Sequence, residues 1–149
     1  MAGNTRLATA IHVAGLLSFA DTVPISSENI ADSVNTNPVV IRRIIGLLTK
    51  AGLVNVKMGV GGGACLAKSP VEVTLADIYL ALEENAVFEV PQLEESHPCA
   101  IGRIVRPVLS EVLSGVEQNL LESLRKITLA EVIIKVHSRM KEQGILGQK

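Results

Sequence analysis

The sequence predicts a mainly α-helical fold that carries one small two-stranded β-hairpin. Apolar residues recur at helical spacing through most of the 149 residues, and a glycine-rich stretch separates two short strand-like segments. A long apolar stripe follows near the C-terminal end. Hydrophobic residues make up 48% of the chain, yet no apolar run approaches the roughly 18 residues of a membrane span. No secretory signal pattern is visible, so we expect a globular cytoplasmic protein.

Three helices are predicted within the first fifty residues. Residues 5–18 carry a helical stripe of apolar side chains, and a short second helix follows. The third helix is expected to begin at Pro38 with Asn37 as its cap, because proline at the first helical position loses no needed hydrogen bond. We expect Gly52 to end it in the left-handed conformation. Its core-facing residues are Ile41, Ile44, Ile45 and Leu48.

A hairpin is predicted directly after the third helix. Residues 53–57 and 64–68 are predicted strands, and the glycine-rich residues 58–63 join them. Glycine-rich loops also bind nucleotide phosphates, but neither a Lys-Ser/Thr pair nor a helix follows these glycines. Three helices and a hairpin in this order are typical of a winged helix-turn-helix, in which the third helix enters the DNA major groove.

The outer face of the third helix is therefore expected to bind double-stranded DNA. Arg42 and Arg43 suit bidentate recognition of guanine, and the polar residues before the helix suit phosphate contacts. Residues 1–70 contain six Lys and Arg against three acidic residues, which agrees with a polyanionic partner. The candidate DNA-binding residues are Arg6, Asn35, Thr36, Asn37, Val39, Arg42, Arg43, Lys50, Lys57 and Lys68.

The rest of the chain is predicted to form three further helices. Thr74 and Thr128 each begin a capping-box pattern, and a long helix lies between them. We expect a head at 1–84, a linker at 85–98 and dimerisation helices at 99–149. The long helix has an apolar stripe that either packs on its own head or, as we expect, on a second copy of the chain. The stripe consists of Val105, Leu109, Val112, Val116, Leu120, Leu124 and Ile127.

Several of these segments together resemble the Rrf-type winged helix-turn-helix transcriptional regulators. The resemblance is carried by Ile30–Ile45, the glycines Gly61–Gly63, Thr74–Ile78 and Cys99–Gly102. Members of that family include the bacterial iron–sulfur-cluster regulator, a nitric-oxide-sensing repressor and the cysteine-metabolism repressor. The resemblance implies a homodimeric transcription factor, in the simplest case a repressor, on a palindromic operator.

The cysteines depart from the cluster-binding members of that family. Those members carry three cysteines in the region that corresponds to residues 90–108, where this chain has only Cys99. A cluster needs several thiolates, so we predict a cluster-free branch with no cofactor. Cys99 lies near a helix start and is interpreted either as a thiol sensor or as a small packed residue.

No catalytic or metal-binding constellation is predicted. The three histidines lie in different segments without a second ligand at helical spacing, and no serine lies in a nucleophile-elbow motif. We therefore expect that the protein is not an enzyme. The alternative function is a winged-helix module for protein–protein assembly without DNA binding, against which Arg42 and Arg43 argue.

Overall fold

The predicted fold class is confirmed by a computed structural model that describes residues 5–82, 87–91 and 98–146. These residues form six helices and one antiparallel hairpin. The elements in chain order are α1 (Arg6–Phe19), α2 (Ser27–Val34), α3 (Pro38–Lys50), β1 (Val54–Lys57), β2 (Gly63–Leu66), α4 (Leu75–Ala81), α5 (Ala100–Arg125) and α6 (Leu129–Glu142).

One hydrophobic core holds the first three helices, the hairpin and α4 together. The predicted inner face of α3 is confirmed, since all four of its stripe residues are buried. Leu17 and Ile30 bring α1 and α2 to the same core, and Ile78 adds α4. All of these side chains except Ile45, which is 6% exposed, are fully removed from water, and such burial stabilises a folded state by roughly 1.5–3 kcal/mol per side chain.

The helix-turn-helix is formed by α2, a three-residue turn and α3. Asn35 ends α2 with a left-handed φ of 58°, a conformation that asparagine tolerates better than most residues. The Oδ1 atom of Asn37 accepts a hydrogen bond of 2.8 Å from the backbone N–H of Val39, which confirms the predicted cap. Gly52 has a φ of 73°, as predicted for the residue that ends the helix.

The hairpin pairs β1 with β2, and Lys57 lies opposite Gly63 at its tip end. The backbone of Ile25 also bridges Ala64 through two hydrogen bonds of 2.9 Å, so the hairpin is attached to the segment before α2. A Cβ atom at Gly63 would lie 2.4 Å from the carbonyl oxygen of Ile25. Glycine is therefore required there for this close approach.

Both predicted capping boxes are present, and they lie side by side. Thr74 and Thr128 form an antiparallel bridge, so that α4 and α6 start next to each other. Leu129 is fully buried in the core, and the rings of Phe19 and His137 lie 4.7 Å apart across α1 and α6. The sequence alone grouped α6 with α5 as a dimerisation element. In the structure α6 also packs against the head.

The long helix α5 has a different environment from the others. None of its 26 residues is buried, and Val105, Val112 and Val116 are all more than 40% exposed. Of the predicted stripe, Leu124 packs against the core of the head. Pro107 is the eighth residue of the helix, and the helix continues through it. The predicted linker falls largely outside the described residues.

None of the helices in the described ranges is long and apolar enough to span a membrane.

Candidate nucleic-acid interface

The outer face of α3 carries the side chains that were predicted to contact bases. Val39 is 58% exposed, and Arg42, Arg43 and Gly46 are exposed beside it, whereas the opposite face of the helix is buried in the core. The helix is thus held firmly on one side and leaves its polar side accessible. Its first two turns, which carry both arginines, are the part of a recognition helix that reaches base edges in helix-turn-helix proteins.

Arg42 is held in an ion pair that the sequence analysis did not predict. Its guanidinium donates a hydrogen bond from Nη2 to Oε1 of Glu28, in the first turn of α2. The two residues are 14 positions apart, and no local sequence pattern connects them. A hydrogen bond from its own backbone N–H, and secondarily the charge of Arg42, lowers the pKa of Glu28 from its ordinary value.

Arg43 has no such partner within the described ranges. It projects about 100° further around the helix axis than Arg42. Two adjacent residues of the same type therefore differ in their surroundings, because one is paired with an acidic side chain and the other has no acidic partner among the described residues.

The three polar residues of the helix-turn-helix turn lie at the N-terminal end of α3, as predicted. Asn35 and Asn37 are exposed and Thr36 is half-buried. The cap occupies the side-chain oxygen of Asn37, and the residue as a whole is exposed. The first N–H groups of α3 are already hydrogen-bonded, that of Val39 to Asn37 Oδ1 and that of Val40 to the carbonyl oxygen of Asn37, so it is the helix dipole that favours an anion at this end.

The structure brings Lys57, but not Lys68, to the tip end of the hairpin. Lys57 is exposed at the end of β1, whereas Lys68 lies beyond the base of β2 and lines a small depression with Ser18 and Asp21 of the α1 end. Sequence reasoning missed Met58 and Val60, which are 85% and 107% exposed at the tip. The sequence could have indicated their exposure, because both are apolar residues that alternate with glycines in the loop of the hairpin.

The two remaining candidates lie at helix ends. Arg6 is the first residue of α1 and half-buried, and Lys50 is the exposed last residue of α3. Lys50 is about 18 Å along the helix axis from Pro38. A cation in the last turn of a helix also complements the helix dipole, so the location of Lys50 can be explained without DNA contact.

The two cysteines do not fit an iron–sulfur cluster. Cys65 lies half-buried in β2, and Cys99 is exposed at the N-cap of α5, where Sγ accepts a hydrogen bond of 3.4 Å from the N–H of Gly102. Within the part of the chain that the structure describes, no three His, Cys, Asp or Glu side chains form a metal-binding group. In the single chain Cys99 is exposed rather than packed against the head, and its role as a thiol sensor or a packed residue stays a prediction.

Comparison with known proteins agrees with this architecture. Residues 4–135 match the family model Rrf2, described as iron-dependent transcriptional regulator. The Bacillus subtilis protein YwnA, whose name assigns it to the HTH-type transcriptional regulators, is 37% identical over 87% of this chain and 96% of its own.

Two solved structures share the fold. IscR of T. potens superimposes with a TM-score of 0.68 at 23% identity, covering 100% of this chain and 94% of its own. CymR of B. subtilis, described as a global cysteine regulator, has a TM-score of 0.62 at 24% identity and covers 91% of this chain and 98% of its own. With the match to the family model and to YwnA, these findings show that the chain belongs to the Rrf2 family of transcriptional regulators.

Proposed function

We propose that this protein is a repressor that binds a palindromic operator as a homodimer, without enzymatic activity. The observation that carries the proposal is the outer face of α3. It presents Val39, Arg42 and Arg43 beside one another on a helix whose other face is buried in the core. Arginine can donate two parallel hydrogen bonds to guanine O6 and N7, which are accessible in the major groove.

Phosphate contacts would fix the register of α3 on the duplex. Such contacts carry no sequence information themselves, but they position the base-reading helix. The residues proposed for them lie at the start of α1, in the turn before α3, at the last residue of α3, at the tip end of the hairpin and beyond the base of β2. They are Arg6, Asn35, Thr36, Asn37, Lys50, Lys57 and Lys68.

The exposed stripe of α5 supports the homodimer. The stripe from Val105 to Leu124 is an apolar helix face of about 29 Å that is costly to leave in water, and among the described residues it meets the core of the head at Leu124. Two-fold symmetry would place two copies of α3 about 34 Å apart, on successive major grooves of a palindromic site. If its operator overlaps a promoter, a dimer of this span would exclude polymerase, which is the form of repression that we propose, and the proposed location is the cytoplasm.

The test is a mobility-shift measurement with the full-length protein. The probes are the DNA upstream of its own gene and a duplex of the same composition in shuffled order. We expect a clear preference for the upstream DNA. Arg43→Ala should weaken that binding by about 1–3 kcal/mol while the circular dichroism spectrum stays unchanged. Equal affinity for both duplexes would instead favour the protein–protein assembly module.

A further inference from the structure

We propose that Glu28 is a specificity-determining residue of the DNA interface, and that it acts by occupying the guanidinium of Arg42 until a matching base pair displaces it. The inference rests on the proposed function, since it assumes that α3 contacts DNA. Neither the sequence pattern nor the comparison with relatives singles out Glu28.

The ion pair contributes little to holding the fold together. The side chains of Arg42 and Glu28 are 56% and 59% exposed, and exposed pairs of this kind are screened by water and salt. The core already fixes α2 and α3 through Ile30 and Ile41. The pair therefore acts mainly on the side chain of Arg42, whose position it restrains at the surface that faces DNA.

Glu28 is ionised at neutral pH. It is the second residue of α2, where the helix dipole favours a negative charge, and its pKa is lowered. The pair is therefore present under the conditions in which the protein meets DNA.

We expect the ion pair to lower the affinity of the protein for non-specific DNA. It depends on cations that neutralise phosphates, and Arg42 paired with Glu28 is not available for that purpose. On a duplex without the correct base pair, Arg42 can only replace the carboxylate of Glu28 with a phosphate, so it gains little from the exchange.

A matching base pair competes with Glu28 for the guanidinium of Arg42 more effectively than a phosphate does. Guanine offers two acceptors in the plane of the guanidinium fork, and this geometry is available only at the correct sequence. The exchange of Glu28 for DNA is therefore less unfavourable at the correct sequence than elsewhere, which increases the ratio of specific to non-specific affinity.

The experiment compares wild type with Glu28→Gln, which keeps the shape of the side chain and removes its charge. The probes are a duplex that wild type selects from a random-sequence pool and a shuffled duplex of the same composition. We expect Glu28→Gln to bind the shuffled duplex about 3–10-fold more tightly and to reduce the ratio of the two affinities. The slope of log affinity against log salt should steepen by about one for the shuffled duplex.

Asp32→Asn is the matched control, because it removes the same charge one turn later on the same helix. Its affinity ratio should stay close to that of wild type. In an Arg42→Ala background the effect of Glu28→Gln should disappear, whereas in an Arg43→Ala background it should persist. Circular dichroism checks that every variant is folded.

The inference is overturned if Glu28→Gln leaves the ratio and the salt slope unchanged. It is also overturned if Asp32→Asn reproduces the change, or if the change persists without Arg42, because a general charge effect would then explain it. If wild type selects no sequence from the pool, the proposed function fails and this inference fails with it. The two failures are therefore distinguished by the behaviour of wild type alone.

Discussion

Arg42 and Arg43 are neighbours of identical chemistry, yet the fold gives them different partners. Arg42 is paired with Glu28 of α2, whereas Arg43, about 100° further around the helix axis, has no acidic partner within the described residues. Arg42 must therefore give up a partner in order to contact DNA, and Arg43 has no acidic partner to give up. The two residues therefore have unequal parts in the proposed interface even though the sequence presents them as a pair.

Cys99 is the residue for which a chemical response is predicted. Its Sγ is exposed and caps α5, so oxidation to a sulfenic acid by peroxide would alter the start of that helix. We expect peroxide to lower the affinity of wild type for the selected duplex and to leave Cys99→Ser unaffected, since serine retains a cap. The measurement is a mobility shift before and after treatment.

Cys65→Ser is the control for that experiment. Its thiol is half-buried in β2, where Sγ lies 3.9 Å from the carbonyl oxygen of Asn55. This variant should respond to peroxide as wild type does. Equal loss of affinity in wild type and in Cys99→Ser would show that Cys99 is not the sensor.

At the scale of the element, α3 contains an exposed glycine, Gly46, that the stability of the helix does not require. A Cβ atom at Gly46 would meet nothing within 4 Å, and glycine in a helix interior is less stable than alanine. The residue lies on the outer face, between the arginines and Lys50. Its absent side chain is therefore better explained by close approach of DNA than by packing.

Gly46→Ala is predicted to separate stability from DNA binding. The free energy of unfolding should increase by about 0.5–1 kcal/mol, measured by urea denaturation. Affinity for the selected duplex should decrease by about 1 kcal/mol or more, comparable with a mismatched base pair. If Gly46→Ala is more stable and binds the selected duplex as tightly as wild type, this part of α3 does not lie close to the DNA.

The elements themselves were predictable, because their signals are local. The cap at Asn37, the stop at Gly52 and the boxes at Thr74 and Thr128 are short-range patterns, and each is present in the structure. Contacts between distant elements were not predictable. The bridge of Ile25 to Ala64, the pairing of the two boxes and the Glu28–Arg42 ion pair depend on how elements pack, for which a single sequence contains no periodic signal.

At the scale of the whole molecule, the single chain leaves one large apolar surface uncovered. The α5 stripe consists of branched aliphatic side chains, and the residues from Val105 to Leu120 are between 39% and 57% exposed at the stripe positions. The charged residues of α5 lie on its other faces. Such a surface agrees with the proposed association of two chains, and its length allows two copies of α5 to pack along each other.

Val112→Glu tests this association directly. Val112 is 57% exposed in the single chain, so a carboxylate there should leave the folded monomer intact. In a dimer the same carboxylate would be buried twice without a partner, because symmetry repeats each substitution. We expect wild type to sediment as a dimer and Val112→Glu as a monomer at micromolar concentration, a weakening of at least about 100-fold, or about 3 kcal/mol.

The matched control is Gln118→Glu, which adds the same charge to an exposed position on the opposite side of α5. It should remain dimeric and should bind the selected duplex as wild type does. Val112→Glu should lose affinity for the full palindrome but not for an isolated half-site, because each head keeps its own α3. If Val112→Glu also sediments as a dimer, the copies associate through another surface, and the separation of the two recognition helices must then be set by that surface rather than by α5.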